Sequence, residues 1–196
     1  MMGLTIHYQY LIGLVLLGLV GCYSPSRFLA TDISGANIGN TEWTLTDHEG
    51  QPRRLSDFNG KVVVLFFGYS QCPDVCPFTL AKLATAMQLL KKQAEQVQVL
   101  LISIDPQRDS LAQLGVYVTS FYPTFLGLTG SELQLKTIAE QFKLFYRNTS
   151  KTGTESYTLE HSSGSYIFDR HGKLRLFVNG TSEAEVFAHD IALLLR

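Results

Sequence analysis

Two nearly continuous apolar runs constrain the fold of this chain more than any other sequence feature. They are Val62 to Phe67 (VVVLFF) and Val97 to Ile104 (VQVLLISI). Strands that are apolar on both sides are typical of parallel sheets whose two faces are covered by helices. We therefore expect a strand–helix–strand unit of an α/β domain, with a helix that reaches about Lys92. An apolar stripe at helical spacing supports that helix: Phe78, Leu80, Leu83, Ala84, Met87 and Leu90.

The rest of the chain continues the alternation of strand and helix patterns. Leu111 to Phe121 predicts a helix, Thr124 to Leu128 a short strand, and Ser131 to Gln134 a capping box that begins another helix. The order predicts an α/β fold, a thioredoxin-like mixed sheet flanked by helices, with an N-terminal hairpin and insertions. The terminal parts contribute a hairpin at 43–50, a hairpin at 166–178, a capping box at Ser182 to Glu185, and a last helix with Phe187, Ile191 and Leu194 facing inward.

The N-terminal segment has the features of an export signal. Leu11 to Gly21 (LIGLVLLGLVG) is an apolar run of 11 residues, shorter than the roughly 20 needed to span a bilayer. It ends in Leu19-Val20-Gly21-Cys22, which resembles the lipobox of bacterial lipoproteins, and this resemblance implies a lipid on the sulfur of Cys22. No Lys or Arg precedes the run, so an uncleaved short anchor remains an alternative.

These features divide the chain into a lipoprotein signal peptide at residues 1–21, a flexible tether at 22–41, and a globular domain at 42–196. The tether is inferred from its Ser, Gly, Asn and Thr content and its lack of periodicity. Either form of the anchor places the domain in the cell envelope, at the periplasmic face of a membrane.

Charge and cysteine content exclude several classes of function. A formal net charge of −1 argues against nucleic-acid binding, which requires a basic face. Three cysteines are too few for a disulfide-stapled scaffold. With Cys22 assigned to the lipid anchor, Cys72 and Cys76 remain for chemistry.

Cys72 and Cys76 lie in the segment Gly68 to Pro77 (GYSQCPDVCP), between the first apolar strand and its helix. The N-terminus of a helix stabilises a thiolate, and a spacing of four residues places both sulfurs on one side of a turn. The pair is therefore suited to a disulfide or to one metal ion. A plain structural disulfide is the simpler alternative, although so short a loop contributes little stability.

Among the histidines outside the signal segment, His161 is the candidate for a third ligand. His48 and His171 lie in turns, where a solvated side chain is expected, and His189 falls on the polar face of the last helix. His161 precedes the strand at 166–168, and in a thioredoxin-like fold the loop entering that strand faces the cysteines. Two thiolates suit Cu(I), and an imidazole suits both copper oxidation states.

Four segments resemble the SCO/SenC family of thioredoxin-like copper proteins, which help assemble the copper centre of cytochrome c oxidase. They are Gly68 to Pro77, Ser103 to Asp109 (SIDPQRD), Phe125 to Gly130 (FLGLTG) and Glu160 to Ser162. The resemblance covers most of residues 43–196.

This resemblance implies that Cys72, Cys76 and His161 are copper ligands for Cu(I) and Cu(II). Asp105 matches a family aspartate near the site, either behind the ligands without binding the metal or as a partner for Cu(II) only; a turn acid or helix cap is the alternative. The implied function is a membrane-anchored metallochaperone that delivers copper to, or matures, the copper centre of the oxidase. The implied partner is oxidase subunit II or another copper-accepting protein.

A thiol–disulfide oxidoreductase that uses Cys72 and Cys76 as catalytic residues is the second hypothesis. Two features argue against a general reductase. Three residues separate the cysteines instead of two, and no proline precedes Tyr166, where thioredoxins keep a cis-proline. Whether the protein is an enzyme therefore stays open at the level of sequence.

Overall fold

The computed structural model describes residues 27–39, 42–149 and 157–196. Within these ranges no helix is both long and apolar enough to cross a bilayer. The predicted signal peptide and Cys22 lie outside the described residues. The strands are β1 (Thr31–Asp32), β2 (Leu45–Asp47), β3 (Pro52–Arg53), β4 (Val62–Gly68), β5 (Val97–Ser103), β6 (Leu126–Thr129), β7 (Tyr146–Asn148), β8 (Leu159–His161), β9 (Gly164–Phe168) and β10 (Leu174–Asn179); the α-helices are α1 (Val75–Leu90), α2 (Leu111–Phe121), α3 (Glu132–Gln141) and α4 (Ala184–Leu194).

A mixed sheet flanked by helices forms the body of the protein, as the sequence predicts for a thioredoxin-like fold. Its eight strands follow the order β1-β10-β9-β4-β5-β6-β2-β3. The central strands β4, β5 and β6 are parallel, and Val62 of β4 pairs with Val97 of β5. Every residue of β4 and β5 is buried, which explains why these two strands are the continuous apolar runs of the sequence.

Alternate residues of the central strands feed two separate cores. Val62, Val64 and Phe66 pack on one face against α1, α2 and α4. Val63, Leu65 and Phe67 pack on the other face against α3, together with Tyr166 and Phe168 of the neighbouring strand β9. Because β4, β5 and β6 are parallel, their carboxyl ends lie together at one edge of the sheet. Ligands gather at this edge in α/β folds.

The N-terminal residues 27–39 lie against the domain, although they belong to the segment that the sequence assigns to the tether. β1 pairs with β10, and the backbone amides of Leu29 and Ala30 donate to the buried carboxylate of Asp190 at 2.9 Å and 2.8 Å. A carboxylate on α4, far away in sequence, therefore helps to hold this segment against the domain, although the segment itself has no hydrophobic periodicity.

The first helix ends close to its predicted end but differs from its prediction on one face. It begins at Val75 and ends at Leu90, and Phe78 is 63% exposed instead of buried. A two-residue step turns a helix by about 200°, so Phe78 cannot share a stripe with Leu80. The buried stripe begins at Cys76 and continues through Leu80.

The last helix begins without the predicted capping box. Glu183 is its N-cap residue and makes no side-chain cap bond, and Ser182 belongs to a preceding turn in which its amide donates to the Asn179 carbonyl. Phe187 and Ile191 are buried as predicted, Leu194 packs partly buried against the same core, and Leu195 is buried as well. The capping box at Ser131 is present as predicted.

Candidate metal centre

The two cysteines lie where β4 gives way to α1. Cys76 is in the first turn of the helix, and Cys72 is in the loop before it. Gly68, the last residue of β4, makes room for the helix, since a Cβ atom there would lie 2.6 Å from the Cys76 sulfur. The backbone amide and hydroxyl of Ser70 donate to the buried carboxylate of Asp109, which fixes the start of the loop.

Cys72, Cys76 and His161 come together although His161 is 85 residues from Cys76 in sequence. Their ligand atoms all lie within 4.8 Å of one another, and the Cys76 sulfur is 3.5 Å from Nε2 of His161. The cysteines are 8% and 1% exposed, and both are free thiols rather than a disulfide. In the part of the chain that the structure describes, no other group of three such residues forms a comparable cluster.

The two sulfurs have opposite acid–base character. A hydrogen bond from the Cys76 thiol lowers the pKa of Cys72 to about 4, against the opposing effect of burial; His161 and the backbone amides of Asp74 and Cys76 lower it further. That same hydrogen bond, together with burial, raises the pKa of Cys76 above its ordinary value. Without a metal, the pair therefore holds one thiolate and one thiol.

His161 is the last residue of β8, a strand that the sequence analysis did not predict. β8 pairs with β7, opposite Tyr146, in a small two-stranded sheet apart from the main sheet. The Nδ1 atom of His161 lies 3.1 Å from the Ser162 carbonyl oxygen, which accepts a hydrogen bond from it. Nε2, the other ring nitrogen, faces the sulfurs and is the atom that would bind a metal.

Tyr69 contacts both the His161 ring and the strand that carries it. Its buried hydroxyl accepts a hydrogen bond of 3.1 Å from the Leu159 amide, and its ring meets the His161 ring edge-on at 6.2 Å. Tyr69 thus joins the cysteine loop to the histidine strand. Tyr69 lies within the cysteine motif at 68–77, but its contacts with distant residues cannot be predicted from that motif.

Asp105 lies outside the group formed by the cysteines and His161 and instead holds the chain just before β8. It is 3% exposed, forms an ion pair with Arg108, and accepts a hydrogen bond of 2.6 Å from the Tyr157 hydroxyl. Arg108 lies over the Tyr157 ring at 3.6 Å and donates to the Tyr157 carbonyl at 2.8 Å. We call Asp105, Arg108 and Tyr157 the latch, because they fasten the chain near residue 157 beside the cysteine loop.

The remaining histidines lie outside this cluster. His171 and His189 are exposed, in agreement with the sequence analysis. His48 is not simply solvated: it is partly buried, and its Nδ1 accepts a hydrogen bond of 3.2 Å from the Gly127 amide. Its turn packs against β6, which the local sequence could not indicate.

Comparison with known proteins assigns the domain to a family. The SCO1/SenC family model matches residues 31–196. The chain belongs to the SCO1/SenC family. The mitochondrial protein SCO2 homolog of Mus musculus is 34% identical over 158 residues, which cover 80% of this chain and 62% of the mouse protein. The chain thus spans less than two thirds of that relative's length.

Two solved SCO structures share both the fold and appreciable sequence identity with this chain. Apo Sco1 from Thermus thermophilus is 34% identical with a TM-score of 0.76, covering 88% of this chain and 99% of that one. ScoI from Bradyrhizobium japonicum, with copper bound, is 31% identical with a TM-score of 0.73, covering 81% and 99%. The family and the thioredoxin-like fold predicted from the sequence are therefore confirmed.

Proposed function

We propose that this SCO1/SenC protein binds copper through Cys72, Cys76 and His161 and delivers it to the copper centre of cytochrome c oxidase. The convergence of two sulfurs and one imidazole nitrogen within 4.8 Å carries this proposal. Soft thiolates favour Cu(I), and an imidazole serves both Cu(I) and Cu(II). The copper-bound relative from Bradyrhizobium japonicum supports the choice of metal.

The surroundings of the cluster suit transfer of a metal between proteins. Three protein ligands leave a position for a ligand from the acceptor, so copper can pass between sites without release as a free ion. His161 is only half-buried, and the phenyl ring of Phe78, two residues beyond Cys76, is 63% exposed. An exposed aromatic ring on the same helix as Cys76 offers apolar contact area for an acceptor such as oxidase subunit II.

Transfer is tested by mixing the copper(I)-loaded full chain in detergent with the apo form of subunit II. We expect copper to appear in subunit II, measured by metal analysis of the two proteins after they are separated. Phe78→Ser should lower the transfer rate while copper affinity stays unchanged; the matched control Val116→Ser replaces another exposed apolar residue, on α2, and should transfer normally. Copper that stays on the donor under all conditions would contradict delivery.

A thiol–disulfide oxidoreductase is the second candidate, favoured by the thiolate at Cys72 beside the protonated Cys76. The Cys72 thiolate would attack a partner disulfide and release one partner thiolate. Cys76 would then lose its proton, displace the second partner sulfur and close a Cys72–Cys76 disulfide. The partner gains two electrons, and an external dithiol reductant must reopen the pair.

Turnover separates the two candidates. A reductase continues to reduce a disulfide substrate when an excess of dithiol reductant is supplied and copper is absent. A metallochaperone reacts once per chain, if at all. We expect reaction with a single equivalent of substrate, and sustained turnover would favour the oxidoreductase.

We also propose that Cys22 carries a lipid that holds the protein at the periplasmic face of a membrane. The lipobox-like Leu19-Val20-Gly21-Cys22 supports this. Cys22→Ser should release the protein from the membrane fraction, and mass spectrometry of the wild-type N-terminus should find a diacylglyceryl group. Unchanged membrane association of the variant would favour an uncleaved apolar anchor.

A further inference from the structure

The end of the sheet opposite the cysteines carries a cluster of basic side chains that the proposed copper chemistry does not use. The cluster has six side chains, of which five are exposed and one, Lys61, is partly exposed. Within the described residues none of them forms an ion pair, whereas Arg53, Lys82, Arg108, Arg147 and Arg175 all do. We call this surface the basic end; it consists of Lys61, Lys91, Lys92, Arg170, Lys173 and Arg196.

The topology brings these residues to one end of the molecule. Lys61 immediately precedes β4, and the segment after Lys91 leads into β5, whose first residue pairs with the first residue of β4. The carbonyl of Arg170, in the β9–β10 turn, accepts a hydrogen bond of 2.8 Å from Gly60, beside Lys61. Arg196 follows the end of α4 and lies with Arg170 around one shallow cavity.

Acidic side chains offset only part of this charge. Asp169 is 8% exposed and already pairs with Arg175 at 3.4 Å. Asp57 accepts a hydrogen bond from the Arg54 amide, and Glu95 is exposed in the segment before β5. The chain as a whole has 16 basic and 17 acidic residues, so the excess of positive charge at this end is local.

The N-terminal segment reaches the domain at the same end. Phe28 borders the cavity that Arg170 and Arg196 also line, and its ring lies 5.8 Å from the Arg175 guanidinium carbon. The next residues are bound to Asp190 on α4. From Cys22 to Arg27 the chain advances five residues, which span at most about 18 Å when fully extended. An anchor at Cys22 therefore keeps this end of the domain within about 20 Å of the bilayer.

We propose that the basic end is a membrane-docking surface for anionic phospholipid headgroups. It would hold the domain upright, with the Cys72–Cys76–His161 cluster directed away from the lipid. The seven residues of β4 separate the two ends, which places the cluster about 23 Å farther from the bilayer. Lysine and arginine near an anionic leaflet are attracted over about one Debye length, so the short connection keeps them within range. This inference rests on the proposed membrane anchoring.

Lysine acetylation on reconstituted full-length protein tests the orientation. The chain is placed in vesicles of phosphatidylcholine alone or mixed with phosphatidylglycerol, treated with an amine-reactive acetyl donor, and analysed by mass spectrometry. Phosphatidylglycerol should reduce acetylation of Lys61, Lys91, Lys92 and Lys173 at least about threefold, and about 0.5 M salt should abolish the protection. Lys82 and Lys136, which lie toward the copper end, should react equally in both lipids.

Two charge-matched variants sharpen the test. Lys92→Glu combined with Lys173→Glu should remove the protection of Lys61, because both altered side chains are exposed at the basic end. Lys82→Glu combined with Lys136→Glu makes the same change in net charge elsewhere and should leave that protection intact. Equal acetylation of the basic end in both lipids, or protection of Lys82 and Lys136 instead, would overturn the proposal.

Flotation separates failure of the docking surface from failure of the anchor. A lipid or apolar anchor carries the chain upward with phosphatidylcholine vesicles, independently of charge. If the protein does not float with phosphatidylcholine vesicles, the anchor proposal fails. The basic end still predicts flotation with phosphatidylglycerol vesicles that is sensitive to salt. The variant with Lys92→Glu and Lys173→Glu should lose that flotation. Absence of both would refute the docking surface as well.

Discussion

Single residues set the chemistry of the cysteine pair, because each sulfur has a different environment. Cys72 accepts a hydrogen bond from the Cys76 thiol and further hydrogen bonds from His161 and backbone amides. These bonds lower its pKa to about 4. The hydrogen bond to Cys72, together with burial, raises the pKa of Cys76, which is only 1% exposed. One thiolate is thus available for metal capture or nucleophilic attack at neutral pH.

The reduced, metal-free protein should therefore keep one thiolate over a wide pH range. Thiolate absorbance in the ultraviolet should persist from neutral pH downward and disappear with a midpoint near pH 4, because protonation of Cys72 then removes the charge. Cys76→Ser, which weakens the largest cause of the shift, should move the midpoint upward. A midpoint near 9 in the wild-type protein would show that the two thiols do not interact.

Gly68 sets how closely α1 approaches the end of β4. In Gly68→Ala, the added Cβ would lie 2.6 Å from the Cys76 sulfur, so we expect that sulfur to shift and unfolding free energy to fall by about 1–3 kcal/mol. Urea unfolding measures the loss. In a Cys76→Ala background the same glycine change should cost less, and an equal cost in both backgrounds would exclude the sulfur contact as the cause.

At the residue scale, sequence reasoning found the groups that the structure brings together but not their supports. Cys72, Cys76 and His161 were selected from their residue types and positions. Tyr69 and Gly68 stood inside the quoted motif, yet their roles depend on contacts with Leu159 and Cys76 that periodicity does not encode.

At the scale of elements, the β7–β8 pair places His161 at the site and is itself held by the latch. These strands have three residues each, and their pairing joins Tyr146 with His161 across 15 positions of sequence. So short a ladder has little intrinsic stability, so tertiary contacts have to hold it in place. This is the physical reason why sequence patterns indicated a loop around His161.

Removal of the Tyr157 hydroxyl tests the latch. Tyr157→Phe loses the donor to Asp105, so we expect Cu(II) to dissociate about fivefold faster, equivalent to about 1 kcal/mol. Stopped-flow transfer to a chelator measures the rate. Tyr146→Phe is the matched control, since its hydroxyl has no hydrogen bond within the described residues. Equal rates for the wild type and Tyr157→Phe would show that the latch does not position His161.

At the scale of the whole molecule, the predictable part is the buried strand–helix–strand centre. Its apolar runs required a doubly covered parallel sheet, and β4 and β5 have that environment. Segments held by distant polar contacts escaped prediction. Residues 27–39 depend partly on Asp190, and the start of α4 depends on a turn at Asn179. Such contacts join parts of the chain that local patterns treat separately.

The cysteine–histidine cluster and the N-terminal segment lie at opposite ends of the fold. The cysteine–histidine cluster lies at the carboxyl ends of the central strands, and the N-terminal segment meets the domain at the opposite end. A short connection at one end and a reactive cluster at the other would suit a protein that works on partners above a membrane surface.

Copper titration of the reduced protein, with and without His161, tests the central claim most directly. The wild type should bind about one copper ion per chain in either oxidation state, with a thiolate-to-Cu(II) charge-transfer band. His161→Ala should weaken Cu(II) binding more than Cu(I) binding and change that band, while His189→Ala should match the wild type. An unchanged Cu(II) affinity and spectrum in His161→Ala would contradict the three-ligand centre.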